Sequence, residues 1–280
     1  MNDGIFPVII VAYNPDERLQ KNVQNLSCCN ILRDIIVVDN STEESKIIQQ
    51  ISVLDKVTVI SCHGNKGIAY AQNIGIAEAE KKKYKWALTL DHDTIVDNRL
   101  LEKYYAHIEN NDCSNIAILS TDYYDIGADK LAFNNGEPVE AELVISSGSL
   151  INIDIFNKLG RMKEHYFIDQ VDNEYCYRVL KNKYRIIVLP GSSMEHRLGN
   201  IKQVHVLGFK FHLYNQPPIR TYYRTRNCIY LIREYKDISL TCKKMKSLCI
   251  DFIKLLFEDD TYRKSVEFFR GIYHGLTDTL

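Results

Sequence analysis

Short apolar runs bounded by turn residues recur through the first part of the chain. They are rich in Val, Ile and Leu, a pattern typical of strands that are buried on both faces. The runs occupy residues 8–12, 35–38, 57–61 and 86–90, and helical spacing lies between them at 16–32 and 68–79. Strands that alternate with helices in this way predict a doubly wound α/β sheet.

Polar clusters follow three of these runs, at Tyr13-Asn14-Pro15, Asp39-Asn40-Ser41 and Asp91-His92-Asp93. In a doubly wound sheet, ligands bind beyond the carboxyl ends of the strands. The three clusters are therefore predicted to converge on one crevice.

Asp91 and Asp93 are the most informative pair, because they end the apolar run of residues 86–90 abruptly. Alternate side chains of a strand point to the same side, so both carboxylates can face one pocket. Such a pair suits a hard divalent cation and, through the cation, a diphosphate. A solvated turn after a buried strand is the alternative interpretation.

Missing glycines narrow the choice of ligand. Residues 12–16 contain no glycine, so the Gly-x-Gly-x-x-Gly turn of dinucleotide-binding proteins is absent, and no Walker-type phosphate loop occurs in the chain. Dehydrogenases and P-loop enzymes are thereby disfavoured. A metal-bridged nucleotide diphosphate fits the pattern better.

Charge is distributed unevenly along the 280 residues, although the net charge is only -1. Residues 201–280 hold 14 Lys and Arg against 8 Asp and Glu, a balance of +6, which leaves -7 for residues 1–200. The basic region is interleaved with apolar residues, which suits an anionic surface such as a membrane rather than a nucleic acid. No apolar run reaches the ~20 residues of a membrane span, so we expect a cytoplasmic protein with reduced cysteines.

Eight motifs in a fixed order resemble the GT-A-fold family 2 glycosyltransferases, and within them the bacterial rhamnosyltransferase-like group. The motifs are Val11-Ala12-Tyr13-Asn14-Pro15, Ile36-Val37-Val38-Asp39-Asn40-Ser41, Asn65-Lys66-Gly67-Ile68-Ala69 with Asn73 and Gly75, Leu90-Asp91-His92-Asp93-Thr94, Ser146-Ser147-Gly148, residues 167–174, Glu195-His196-Arg197-Leu198-Gly199, and residues 222–227. Two positions depart from the group's usual pattern, His92 in place of Gln and Tyr175 in place of Trp.

The resemblance implies a GT-A fold with a doubly wound mixed sheet. Beyond Asn227 the resemblance fades, and helical periodicity adds a helical C-terminal extension. Residues 1–200 would form the catalytic domain, with a nucleotide-sugar half over about 1–100 and an acceptor and base half over about 101–200. Residues 201–280 would form a flap, or an ordinary linker, followed by helices that contact a membrane or a second subunit.

The resemblance also implies the parts played by individual residues. Tyr13, Asn14, Asp39, Asn40, Asn65, Gly67, Asn73, Asp91 and Arg226 would bind the nucleotide-sugar donor. Asp93 and His196 would hold Mn²⁺ or Mg²⁺, with Asp91 as a further ligand. A satisfied structural histidine is the alternative for His196.

Inverting transfer needs a general base beside the acceptor hydroxyl. Aligned on Cys176 and Arg178, Asp172 falls where the family has its base. If residues 167–180 begin a helix, Asp169 shares a face with Asp172 and is a rival. An acidic first turn that merely stabilises the helix dipole is the alternative.

The expected reaction moves a sugar, L-rhamnose from dTDP-β-L-rhamnose, to a saccharide or a polyprenyl-diphosphate-linked saccharide at the inner face of the plasma membrane. A UDP- or GDP-sugar donor is the alternative, and a sugar-nucleotide-binding scaffold is the alternative without catalysis. Beyond Asn227, apolar residues at helical spacing predict a helix over 245–256 beside several lysines. That helix would dock on the catalytic domain, form a homodimer interface, or lie on the membrane.

Overall fold

A computed structural model describes most of the chain. The described residues are 6–125, 130–133, 136–191, 194–196, 202–206, 209–213 and 215–279, and the side chains of Asp125, of 195–196, of 202–206 and of 209–212 are not among them. The structure divides into two compact units: the first comprises 1–124, 130–164 and 171–196, and the second comprises 125–129, 165–170 and 197–280.

The elements alternate as the apolar pattern predicts over the first hundred residues. In chain order the strands are β1 (Val8–Ala12), β2 (Ile35–Asp39), β3 (Val57–Ser61), β4 (Trp86–Asp91), β5 (Ile95–Val96), β6 (Ile116–Thr121), β7 (Tyr124–Asp125), β8 (Lys130–Leu131), β9 (Val139–Glu140), β10 (Ser149–Asn152), β11 (Arg185–Leu189), β12 (Met194–His196), β13 (Lys202–Val206) and β14 (Phe209–Leu213). The helices are α1 (Glu17–Ser27), α2 (Lys46–Ile51), α3 (Ile68–Lys81), α4 (Asn98–Asn110), α5 (Ile153–Leu159), α6 (Val171–Lys181), α7 (Pro218–Tyr235), α8 (Ile238–Leu255) and α9 (Thr261–Thr277), with a short 3-10 helix at Glu164–Tyr166.

A mixed eight-stranded sheet forms the centre of the first unit, in the order β3-β2-β1-β4-β10-β6-β11-β9. The strands β1 to β4 are parallel, with Val8 opposite both Ile35 and Leu88. Strand β10 is antiparallel to β4 and to β6, and β9 is antiparallel to β11. The carboxyl ends of four parallel strands therefore meet at one edge, as the predicted fold class requires.

Alternation along β1 sends its side chains to two layers. Val8 and Ile10 share a buried cluster with residues of α1, α2 and α4. Ile9 faces the other layer, where Gly75 of α3 leaves no room for a Cβ between itself and the Ile9 side chain. A glycine at that position lets α3 approach the sheet closely.

The second unit contains the helices α7, α8 and α9. Gly271 and Gly275 of α9 lie against α7, where an added Cβ would stand 2.7 Å from the Tyr222 carbonyl oxygen and 2.7 Å from the Ile229 Cβ, respectively. The apolar interior of this unit is small and includes Cys228, Leu248 and Phe268. Within the predicted flap, the strands β13 and β14 pair antiparallel, with Lys202 opposite Leu213.

An apolar stripe on each of α8 and α9 is exposed. The exposed residues are Ile238, Met245, Ile253 and Leu256 along the first stripe, and Tyr262, Val266, Phe269, Tyr273 and Leu276 along the second. Phe252 and Phe269 bring the two helices together, with ring centroids 5.6 Å apart. Within the described part of the chain, no helix is both long and apolar enough to cross a membrane.

Candidate active site

Hydrogen bonds link the polar loops that follow β1 and β2. The Asn14 backbone N–H donates to Ser41 Oγ (2.9 Å), and the Ser41 N–H donates to Asp39 Oδ1 (3.1 Å). Tyr13, beside Asn14, is 43% exposed, so its ring is available to a ligand. Two of the predicted clusters therefore do converge.

The loop after β3 joins the same network through Asn40, which is buried. Asn40 Nδ2 donates to Asn65 Oδ1 (3.1 Å), and Asn40 Oδ1 accepts from the Lys66 N–H (2.8 Å). Gly67 has a φ of +89°, a conformation that favours glycine, and it is the N-terminal capping residue of helix α3. Asn40 and Asn65 thus shape the loops that form the crevice.

Asp91 ends β4 opposite Val11, and its backbone N–H donates to Ser147 Oγ (3.0 Å). The Ser147 hydroxyl in turn donates to Thr94 Oγ1 (2.8 Å). These bonds tie the Ser146-Ser147-Gly148 turn to the Asp91-His92-Asp93 turn. Ser147 is thereby a buried support for the acidic turn.

Asp93 lies beside a residue that sequence reasoning missed. Arg18 Nη1 is 3.8 Å from Asp93 Oδ2, and both side chains are more than a third exposed, so solvent screens the pair. Asp16 caps α1 and holds Arg18 in place; the hydrogen bond from the Arg18 side chain lowers the pKa of Asp16. The only signal for Arg18 in the sequence is its position two residues after Asp16, the capping residue of α1.

The strand β12 runs antiparallel beside β5, with Met194 opposite Val96 and Glu195 opposite Ile95. This register carries the backbone of His196 toward the turn that contains Asp93. The side chain of His196 lies outside the described part of the structure. Among the described residues, no group of three His, Cys, Asp or Glu side chains is arranged to hold a metal ion.

The acidic segment before and within α6 differs from the expected helix. The helix begins at Val171 rather than at 167, because Phe167, Asp169 and Gln170 have φ values of +61°, +64° and +62° and are left-handed. Residues 167–180 therefore do not form one helix, and Asp169 does not share a helical face with Asp172.

The three acidic residues have different surroundings. Asp172 is the second residue of α6, half-buried, and its Oδ1 accepts from the Asn173 N–H (2.9 Å). Glu174 is buried and pairs with Arg178 at 3.0 and 2.8 Å. Asp169 forms a two-bond ion pair with Arg220, at 2.7 Å for each bond. Such a pair fixes the orientation of the Asp169 carboxylate, which favours a supporting part for it.

Two residues assigned to the donor are engaged elsewhere. Asn73 is buried, and it donates to the Met162 carbonyl (2.9 Å) and accepts from the Met162 N–H (2.9 Å). Arg226 donates to Asn227 Oδ1 and to the His165 carbonyl (2.7 Å). Both side chains thus bind the protein's own main chain or side chains, and neither is retained in the donor site proposed below.

Comparison with known proteins identifies the family. The sequence profile described as Glycosyl transferase family 2 matches residues 8–160. A dTDP-rhamnosyl transferase, RfbF of Shigella flexneri, is 31% identical over 248 residues, which cover 84% of this chain and 81% of that protein. The chain therefore belongs to the family 2 glycosyltransferases, and the predicted family is confirmed.

Solved structures with the same fold include S. aureus TarS and GalNAc-T7. TarS aligns at 15% identity with a TM-score of 0.59, covering 98% of this chain and 44% of TarS. GalNAc-T7, solved with UDP, GalNAc and Mn²⁺, aligns at 17% identity with a TM-score of 0.60, over 82% of this chain and 49% of its own. At these identities the likeness shows the fold alone, and it confirms the predicted GT-A class.

Proposed function

We propose that this glycosyltransferase moves L-rhamnose from dTDP-β-L-rhamnose, with inversion, to a saccharide or a polyprenyl-diphosphate-linked saccharide in the synthesis of a bacterial surface polysaccharide. The observation that carries the proposal is the 31% identity, over most of both chains, to a dTDP-rhamnosyl transferase. The linked loops after β1, β2 and β3 supply a crevice of the right kind for the donor.

In the proposed site, Tyr13, Asn14, Asp39 and Asp91 bind the nucleoside, on loops held by Asn40, Asn65 and Gly67. Asp93 and His196, with Asp91 as a further ligand, would hold Mn²⁺ or Mg²⁺. The donor set fits, since carboxylate oxygens suit either ion and imidazole suits manganese. When bound, the ion supplies positive charge to the leaving diphosphate.

Asp172 is the proposed general base. The acceptor hydroxyl attacks the anomeric carbon, the new carbon–oxygen bond forms as the bond to the diphosphate breaks, and the hydroxyl proton passes to the Asp172 carboxylate. The pairing of Asp169 with Arg220 supports this choice over the rival, since both oxygens of the Asp169 carboxylate already accept a guanidinium hydrogen bond.

Peripheral attachment to a membrane is a further part of the proposal. The exposed stripes of α8 and α9 lie in a region of net charge +6, and Lys243 and Lys246 on α8 are exposed. Apolar side chains beside basic ones suit an anionic lipid surface. This arrangement would bring the enzyme to a lipid-linked acceptor.

The deciding experiment is a donor screen that measures nucleoside diphosphate release and thermal shift with dTDP-rhamnose, UDP-sugars and GDP-sugars, each with Mn²⁺ or Mg²⁺. We expect dTDP-rhamnose to be turned over fastest and only with a divalent ion. The folded Asp93→Ala variant should lose turnover, and Glu109→Ala, an exposed carboxylate on α4, is its matched control. Normal turnover by Asp93→Ala would overturn the assignment of Asp93 as a metal ligand. Preference for another donor would overturn the assignment of rhamnose as the transferred sugar.

A further inference from the structure

The segment His165–Gln170 has an unfavourable backbone. Three of its six residues are left-handed, at Phe167, Asp169 and Gln170, and none of them is glycine. Residues with a Cβ seldom adopt this conformation, and they keep it only where surrounding contacts impose it. The contacts that impose it here come from α7 and α8.

Asn227 of α7 makes the central contact. Its side chain is buried, and Nδ2 donates to the carbonyl oxygens of Tyr166 (2.7 Å), Ile168 (2.8 Å) and Asp169 (2.9 Å). Two amide hydrogens thus serve three acceptors, so at least one bond is shared.

Arg226 fixes the orientation of that amide. Its Nε and Nη2 donate to Asn227 Oδ1 (3.0 and 2.9 Å), and Nη2 also donates to the His165 carbonyl (2.7 Å). The guanidinium lies over the rings of Tyr223 and Tyr230, 4.8 and 4.9 Å from their centroids. With its Oδ1 occupied by two donors, the Asn227 amide cannot flip.

Three more contacts join side chains of the His165–Gln170 segment to side chains of α7 and α8. Arg220 pairs with Asp169, Lys244 Nζ donates to Gln170 Oε1 (2.6 Å), and Phe167 stacks on Tyr223 with ring centroids 4.9 Å apart. Each left-handed residue therefore has its own side-chain partner on α7 or α8.

The chain continues from Gln170 directly into α6, whose second residue is Asp172. We propose that Asn227 is a positioning residue for the transfer reaction: by holding the left-handed segment, it fixes the point at which α6 begins and thus the place of the Asp172 carboxylate. This inference rests on the proposed function, and it gives Asn227 a role that is exerted through the backbone of 166–169.

The test compares Asn227→Ala with Arg233→Met. Arg233 is a matched control, because it also lies on α7 and donates to backbone carbonyls, those of Gly275 (2.7 Å) and Asp278 (2.9 Å), but not to this segment. For the full chain with Mn²⁺ we would measure dTDP-rhamnose binding, the maximal rate of dTDP release, thermal unfolding, and amide hydrogen exchange in residues 166–170.

We expect Asn227→Ala to lower the maximal rate by ~10- to 100-fold while the donor dissociation constant stays within about threefold, as for a group that acts only in the transition state. Exchange in 166–170 should quicken, and Arg233→Met should change neither. Equal rate losses in both variants at equal loss of melting temperature would mean that Asn227 only stabilises the fold, and would overturn the proposal.

Arg226→Gln serves as a second variant should Asn227→Ala fail to fold. It leaves the amide in place but removes its orienting partner, so a smaller rate loss and faster exchange are expected with unchanged donor affinity. Weakened donor binding with unchanged exchange in 166–170 would overturn the proposal and return Arg226 to the donor site. A wild-type protein with no transferase activity would overturn the proposed function and the positioning role together, whereas an active wild type with unimpaired Asn227→Ala would overturn the positioning role alone.

Discussion

The donor crevice and the His165–Gln170 segment are both shaped by asparagine side chains, but they are built over different distances along the chain. In the crevice, Asn40 reaches residues 65 and 66, on the loop that follows the next strand. In the segment, the partner Asn227 lies about sixty residues away, on a helix of the second unit. In the crevice, each polar residue follows an apolar strand that marks its position. Asn227 stands in a motif on a helix, and nothing in that motif shows which distant backbone it holds.

The largest change in transfer rate is expected from substitution of the proposed base, Asp172, whose position the His165–Gln170 segment is proposed to fix. Asp172→Asn keeps size and hydrogen bonding but cannot accept a proton, so transfer should fall by ~10²- to 10⁴-fold with little change in donor affinity. Asp169→Asn weakens the ion pair to Arg220 and should be milder. Steady-state rates for both variants, with donor affinity measured separately, check the order; a more severe loss in Asp169→Asn would make Asp169 the base.

Close packing gives a second test, which substitutes one tightly packed glycine in each unit. Gly75→Ala would clash with Ile9, and Gly271→Ala with the Tyr222 carbonyl oxygen. Each should cost about 1 to 3 kcal/mol of unfolding free energy, despite the better helix propensity of alanine. We expect Gly75→Ala to weaken donor binding and Gly271→Ala to spare it. Gly136→Ala, where an added Cβ meets nothing within 4 Å, is the control in denaturant titrations; equal donor losses in both variants would contradict the division of labour.

Asp34 gives a test confined to the first unit. Burial alone would raise the pKa of Asp34, but hydrogen bonds from Lys82 and Tyr84 outweigh burial and lower it. A lowered carboxyl pKa adds stability that is present above the unfolded pKa and is lost as pH falls through the folded one. Asp34→Asn should therefore cost about 1 to 2 kcal/mol at neutral pH and progressively less on acidification. Unfolding curves of the wild type and of Asp34→Asn at pH 7 and in acid check this. A difference in unfolding free energy that grows in acid would contradict it.

The smallest expected effect concerns the membrane. Lys246→Gln should weaken binding to anionic vesicles by roughly 1 kcal/mol, about fivefold, and added salt should weaken binding of both proteins. Lys21→Gln, on the exposed side of α1, is the matched control. If the full chain ignores anionic vesicles at low salt and light scattering shows a dimer, the exposed stripes of α8 and α9 form a subunit interface instead.

The sequence predicted most of the first unit because its elements follow local rules. Buried strands read as β-branched runs, and the residues after them marked the crevice. The helix considered over 167–180 begins only at Val171, and the left-handed backbone at Phe167, Asp169 and Gln170 contains no glycine that would mark it in the sequence. Asn73 and Arg226 are predicted to bind the donor because they stand in the family's motifs, and in the structure both bind the protein's own groups. Membership in a motif does not say whether a side chain faces the ligand or the protein's own backbone. Arg18 is marked only by its position two residues after a helix cap, and Asn227 only by its place in the motif over 222–227, which does not show the backbone that it holds.

Helix α7 lies between two partners. Asn227 and Arg220 face the left-handed segment, while Tyr222 and Ile229 receive the glycines of α9. Neither partner can detach without exposing part of the same helix, so the second unit should open as one cooperative block rather than fray from the C-terminal end. Slow amide exchange in α9 and in residues 166–170 would then share one opening free energy, and a ligand that raises it in one place would raise it in the other.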